Sequence, residues 1–301
     1  MTSKPYTCLF PGQGAQALAM VDGVRHAPAF AERYALVSQA LDEDVARALA
    51  HQQLDFLNRN AVSSLLTVLV STLSYDLWLA HTPPPAYVAG YSVGQWTALY
   101  AAGVVSFAQV VDIVKSRAAL MDACIAKTPG GMIGVIGLGE KVISDLVLRL
   151  QAEGHQVEIS NYNCLGQYSL SAAAAAMQPT LQALQALEPR KVLPLPVVGA
   201  WHSSLLRPAE APFAAYLGTV PLLPPTMPVI DNVTGQLLPT AASALKAQLV
   251  QQLSAPVRWQ QGMATLIGLG CERFVEIGYG RLLTKFGFFI DRSYTHEAFY
   301  A

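Results

Sequence analysis

The sequence predicts an α/β protein: a large unit with a mainly parallel sheet, interrupted by a smaller unit with strands and helices of its own. Three observations carry this. Short apolar strands alternate with longer helical stretches on both sides of the middle of the chain. Such alternation implies a parallel sheet covered on both faces. The middle, residues 130–198, reads strand, helix, strand, strand, helix, strand, which is the split βαβ order. Finally, at residues 90–94 a strand runs straight into G-x-S-x-G and then into a helix.

In chain order, "YTCLF" (residues 6–10) is a short apolar strand that ends in the turn-rich loop "PGQGAQ". After a helical stretch comes "AVSSLLTVLVSTLSYDLWLA". Its length favours a buried helix, and its serines, threonines and Asp76 argue against a membrane span. Pro83, Pro84 and Pro85 stop it, and "AYVAG" is the next strand. Residues 95–102 are helical and close at Gly103, a normal C-terminal signal. "SFAQVVDIVKSRAALMDACIAK" is a second helix, capped by Ser106. The inserted unit then gives strand "MIGVIGL", helix "EKVISDLVLRLQAEG", strands "QVEISNYN" and "QYSLSA", helix "MQPTLQALQAL" and strand "KVLPLPV". Beyond it, "MPVIDNVTG" reads as a strand, "QQLSAPVRWQQGMATLIGLG" contains a helix, and the strand "RFVEIG" finishes the large unit. The expected division is a large α/β-hydrolase-like catalytic subdomain of residues 1–128 and 199–301, and a ferredoxin-like small subdomain of residues 129–198.

Composition narrows the function classes. Apolar residues make up 52% of the chain and charged residues 13%, so much of it can be buried. Net charge is −1, from 19 basic and 20 acidic residues, so no electrostatic grip on nucleic acid or an anionic membrane is expected. The four cysteines are far apart, with no C-x-x-C pair. Neither a disulfide framework nor a metal site is expected. "MTSKPYTCLFPGQG" lacks an apolar core of signal-peptide length, and a cytoplasmic location is expected.

The G-x-S-x-G turn has a geometric logic. A strand feeding directly into a helix leaves the turn residue strained and exposed, and the flanking glycines remove side chains that would clash. The Ser92 hydroxyl then stands at a helix N-terminus, where free N–H groups favour negative charge. A nucleophile also needs a base. Of the six histidines, His202 follows the strand "KVLPLPVVGA" directly, on a loop that would reach the carboxyl edge of the sheet. On these residues alone, Ser92 can still be a tight-turn serine and His202 a buried structural histidine.

The segments "LFPGQGAQ", "GYSVGQWTALYAAGVVSF", "VKSRAALM", "GGMIGVIGL", "NYNCLGQYSLS", "GAWHSSLL", "DNVTG", "QLSAPVRW" and "FVEIGYGRLLTKF" together resemble the malonyl-CoA:acyl carrier protein transacylase family, which includes the acyltransferase domains of polyketide synthases. The likeness spans nearly the whole chain. It implies that Ser92 carries the acyl group as an ester and that His202 is the general base, oriented by a main-chain carbonyl at the position of Gln252. It implies an oxyanion hole from the N–H groups of Gln13 and Val93. Arg117 matches the arginine that clamps the free carboxylate of malonate, as a planar guanidinium suits a carboxylate. Tyr91, Trp201, Met121 and Asn163 fall in the substrate site, Asn163 in the segment that faces the cleft. Malonyl-CoA would be the donor and the phosphopantetheine thiol of an acyl carrier protein the acceptor, acting in trans. No permanently bound cofactor or metal, no nucleic acid and no membrane is implied, and the expected state is a monomer.

The chain departs from the family pattern at Tyr91, commonly histidine, and Gln95, commonly glutamate. Ala200-Trp201-His202-Ser203 replaces Ala-Phe-His-Ser, and Gly278-Tyr279-Gly280 replaces Gly-Pro-Gly. Trp201 should crowd the substrate α-carbon and disfavour an α-methyl group. These departures leave open a different acyl-CoA. An acyl hydrolase that clears carrier proteins is the main alternative, although it would not need Arg117. A catalytically dead scaffolding subunit is the third reading, and retention of Ser92 and His202 argues against it.

Overall fold

The computed structural model describes residues 5–51 and 54–300. Among them the strands are β1 (Tyr6–Phe10), β2 (Tyr87–Gly90), β3 (Gly130–Ile136), β4 (Val157–Cys164), β5 (Gln167–Ala173), β6 (Lys191–Pro194), β7 (Val229–Ile230), β8 (Arg273–Ile277) and β9 (Thr295–Phe299). The helices are α1 (Phe30–Leu41), α2 (Val45–Ala50), α3 (Leu54–Asn58), α4 (Asn60–Leu79), α5 (Gly94–Ala101), α6 (Phe107–Lys127), α7 (Glu140–Ala152), α8 (Ala174–Gln185), α9 (Glu210–Thr219), α10 (Ala242–Gln251), α11 (Trp259–Gly268) and α12 (Leu282–Ile290).

The expected fold class holds. The large sheet is parallel throughout, in the order β7-β2-β1-β8-β9. β1 lies at its centre, every residue buried, which is what a strand covered on both faces requires. The small sheet is antiparallel, in the order β4-β5-β3-β6. It comes from one contiguous stretch and has its own core: Ile143, Leu146 and Leu150 of α7 pack with Ile133, Val135 and Leu170 of the sheet.

Helix α4 is long and apolar enough to cross a membrane, yet 78% of that stretch is buried within the protein. Its hydroxyls tolerate this by bonding back to the helix, as Thr67 Oγ1 does to the Ser63 carbonyl at 2.7 Å. Helix α6 starts at a complete capping box: Ser106 and Gln109 each satisfy the other's backbone N–H.

Backbone bonds help join the two units. Tyr162 N donates to the Val257 carbonyl at 2.9 Å, and Val257 N donates to the Ser160 carbonyl at 2.8 Å. This links β4 of the small sheet to the loop before α11. That loop corrects the expectation of one helix in "QQLSAPVRWQQGMATLIGLG". The stretch holds the end of α10, a break and then α11, because Pro256 disfavours helical backbone at the residue before it. Three other elements differ. The strand expected over residues 227–235 pairs only at Val229–Ile230. Helix α8 begins inside the alanine run and carries Pro179 in its second turn. The large unit does not end with "RFVEIG" but continues through α12 to β9, which pairs with β8.

Candidate active site

Strand β2 ends at Gly90 and α5 begins at Gly94, so the turn between them has almost no room. A Cβ on Gly90 would lie 2.0 Å from the Gly94 carbonyl oxygen, and one on Gly94 would lie 2.3 Å from the Phe10 carbonyl oxygen. Only glycine fits either place. Ser92, at the apex, has φ 54°. For a residue with a side chain the left-handed region costs about 1–2 kcal/mol. The Gly94 and Gln95 amides are taken up by the Tyr91 and Ser92 carbonyls. Among the described residues, the Val93 and Gln13 amides have no acceptor.

His202 comes from the loop that leaves the small sheet. Its Nε2 lies 2.7 Å from Ser92 Oγ. Its Nδ1 lies 3.0 Å from the Gln252 carbonyl and 3.2 Å from the Ala255 carbonyl. Both are acceptors, so Nδ1 carries the hydrogen and Nε2 presents its lone pair to the serine. His202 also has a left-handed backbone, φ 55°, and is 2% exposed. Burial, and then the charge of Arg117, lower its basicity to a pKa of about 3. The small subdomain fastens this loop on either side: Ser171 Oγ donates to the Trp201 carbonyl, and Ser204 donates through N and Oγ to Glu158.

The serine opens on a cavity of about 300 Å³ between the two subdomains. Gln13, Tyr91, Asn163, Trp201 and His202 line it beside Ser92. Its far wall is apolar, with Met132, Val135 and Leu193 from the small sheet, Leu195 just after β6 and Phe286 from α12. Such a mixture, a polar focus on a greasy wall, is common for small-molecule sites. The pair can activate a hydroxyl for attack on an acyl carbon, and the free amides beside it can receive an oxyanion.

Residues 7–287 match the model of the acyl transferase domain family. The chain belongs to that family. Relatives include a malonyl CoA-acyl carrier protein transacylase of Escherichia coli O157:H7, 31% identical over 93% of this chain and 90% of that one. The polyketide biosynthesis protein ThaF of Burkholderia thailandensis is 33% identical over 92% of this chain, which there matches 23% of a longer protein. Among solved structures, an acyl-carrier-protein S-malonyltransferase from Burkholderia pseudomallei 1710b superposes with a TM-score of 0.92 at 28% identity, covering 98% of this chain and 96% of that one. A type II PKS malonyl-transacylase in complex with its acyl-carrier protein superposes with a TM-score of 0.90 at 28% identity, covering 98% and 94%.

In this acyltransferase the remaining expected site residues divide. Tyr91 donates to Asn163 Oδ1 at 2.6 Å, so a large-unit residue is tied to β4 across the cleft. Its ring packs edge-on to Trp259 and tilted against Phe286. The Gln13 side chain faces away from the serine and donates to Ser63 Oγ at 2.6 Å and to the Asn60 carbonyl, which pins the PGQG loop to α4. Arg117 and Met121 do not line the cavity. Each is 1% exposed, and Met121 packs in the main core. Arg117 sits behind Gln252, donating from Nη2 to Gln252 Oε1 at 3.3 Å, while its Nε has no partner among the described residues. Burial lowers its pKa to about 10, so it stays a cation at neutral pH.

Sequence reasoning left Asn232, Ala255 and Glu158 without a role. "DNVTG" was the one available signal for Asn232, a polar residue just past a strand end at the carboxyl edge of the sheet.

Proposed function

We propose that this acyltransferase moves a malonyl group from malonyl-CoA to the phosphopantetheine thiol of an acyl carrier protein through an ester on Ser92. The 2.7 Å approach of Ser92 Oγ to His202 Nε2, with His202 Nδ1 held by the Gln252 carbonyl, carries the reading. His202 takes the hydroxyl proton while Oγ attacks the thioester carbon. The tetrahedral oxyanion is received by the Val93 and Gln13 amides. The C–S bond then breaks, and the imidazolium returns its proton to the departing sulfur of coenzyme A. The carrier thiol repeats the sequence in reverse, giving ping-pong turnover.

Arg117 supplies the charge for the free carboxylate of malonate: its Nε is unpartnered among the described residues, and its one long bond, to Gln252 Oε1, must yield for the guanidinium to reach the substrate. Trp201 narrows the space beside the reacting centre, and Met121 backs the arginine. Residues 129–198 act as the small subdomain that roofs the cleft. The enzyme works as a cytoplasmic monomer on a separate carrier, with no permanently bound cofactor.

One observation favours a second reading, in which a longer apolar acyl group is transferred or hydrolysed: the far wall of the cavity is lined by Met132, Val135, Leu193 and Leu195. Intact-protein mass spectrometry after exposure to a panel of acyl-CoAs decides between them. The malonyl reading requires a malonyl adduct on the wild type that is absent from Ser92→Ala. Equal labelling of the two proteins, or preferential labelling by long-chain acyl-CoA, overturns it.

A further inference from the structure

Ser92 is held at a costly backbone angle, and the structure shows what holds it. Asn232 lies just beyond β7, 3% exposed, beneath the serine turn. Its Oδ1 accepts from Ser92 N at 2.8 Å, and its Nδ2 donates to the Gly90 carbonyl at 2.6 Å. One carboxamide thus grips the turn on both sides of Tyr91. Asn232 is itself braced. Its N–H donates to Gln95 Oε1 at 3.2 Å, and Gln95 Nε2 donates to the Ile230 carbonyl at 3.0 Å. Gln252 Nε2 donates to Asn232 Oδ1 at 3.2 Å and to the Ser92 carbonyl at 2.7 Å.

Strained backbone persists only where its surroundings over-determine it. Here both polar groups of the Ser92 backbone are bonded to side chains. Without Asn232, the Ser92 amide and the Gly90 carbonyl lose these partners in a buried site. The turn then has every reason to relax towards negative φ, which swings Oγ away from His202. We infer that Asn232 is a positioning residue that fixes the reactive backbone of Ser92, with Gln95 as its brace. The proposal rests on Ser92 being the nucleophile. It gives Gln95 a place behind the serine, facing the loop after β7.

The test uses the full chain with two serine-directed reagents, malonyl-CoA and phenylmethanesulfonyl fluoride, and follows modification of Ser92 by mass spectrometry in single-turnover mode. Asn232→Ala should slow both reactions about 100-fold, the scale set by ångström misplacement of a reacting group. The apparent affinity for malonyl-CoA should stay at the wild-type value and the circular dichroism should stay native. Asn232→Asp keeps the acceptor for Ser92 N and loses the donor to Gly90, so it should fall between the two. Gln95→Glu keeps the acceptor for Asn232 N and should stay faster than Gln95→Leu; this pair decides the matter if Asn232→Ala does not fold. Wild-type rates in folded Asn232→Ala, or a loss confined to affinity, overturn the proposal, as do equal rates in the two Gln95 variants. A wild type labelled by the fluoride but not by malonyl-CoA refutes the malonyl assignment, and the fluoride rates still decide the role of Asn232.

Discussion

Ser92 and His202 meet at 2.7 Å with both backbones in the left-handed region, at φ 54° and 55°. The reacting pair is therefore assembled from two turns that the chain would otherwise avoid. Glycine occupies that region without the clash of a Cβ. Ser92→Gly should accordingly be more stable than Ser92→Ala by about 1 kcal/mol, and both should be inactive. Urea unfolding of the two variants measures the difference. Equal midpoints and slopes would mean that the angle stores no strain.

The acid limb of activity should lie unusually low. His202 has its pKa lowered to about 3, first by burial and then by the Arg117 charge, against an ordinary value of 6.5. Its neutral form therefore persists below pH 6, and the rate of Ser92 acylation should stay level from pH 7 down to about pH 5. Arg117→Ala removes one of the lowering causes, so its acid limb should move towards 6.5; acetyl-CoA, which needs no clamp, is the donor for that comparison. The stability sign follows from the same shift. Between the two values the unfolded chain binds the proton and the folded one does not. The contribution of His202 to stability is thus complete above pH 6.5 and is lost as the pH falls towards 3.

Arg117→Ala should also invert selectivity. Loss of two charge-assisted bonds at about 1.5 kcal/mol each should lower kcat/KM for malonyl-CoA about 100-fold. Acetyl-CoA, with no second carboxylate, should be used as well or better. Steady-state kinetics with the two donors give the answer, and an unchanged malonyl-to-acetyl ratio would remove Arg117 from the substrate site.

The Tyr91–Asn163 bond is the polar tie across the cleft at the serine. Tyr91→Phe keeps the packing on Trp259 and Phe286 but leaves Asn163 Oδ1 without the phenol. We expect a stability loss of about 1 kcal/mol. KM should rise more than kcat falls, because the bond shapes the cleft and not the reacting atoms. Denaturation with parallel kinetics on the variant tests both statements, and a change confined to kcat would contradict them.

What could be read from the sequence was local. The G-x-S-x-G turn, the capped helix α6 and the split βαβ order each depend on neighbours within a few residues to a few dozen. The break between α10 and α11 was signalled by Pro256, yet the apolar period on both sides obscured it. Strand β9 was missed because it follows α12 at an edge and pairs only with β8, a contact no local period reveals. The same limit applies at the site. His202 could be picked by its place after a strand. The Asn232 carboxamide and the Ala255 carbonyl each reach a segment distant in the chain, and no local period marks such contacts. Arg117 was marked only by the family resemblance, and its place behind Gln252, out of the cavity lining, depends on a contact between α6 and the residue just after α10.

The insertion of the small unit between two stretches of the large one bears on how the chain acquires its shape during synthesis. The inserted sheet pairs only within a contiguous stretch, so it can close as soon as its last strand has left the ribosome. Strand β1 pairs early with β2, at Thr7 opposite Tyr87, but must wait for β8, which sets Tyr6 opposite Arg273. The strut beneath the serine turn, supplied by the loop after β7, also arrives late. A nascent chain halted before residue 229 would thus carry both Ser92 and His202 but neither Asn232 nor Gln252 to hold them. The reacting pair therefore lacks these supports until residue 252 has been made.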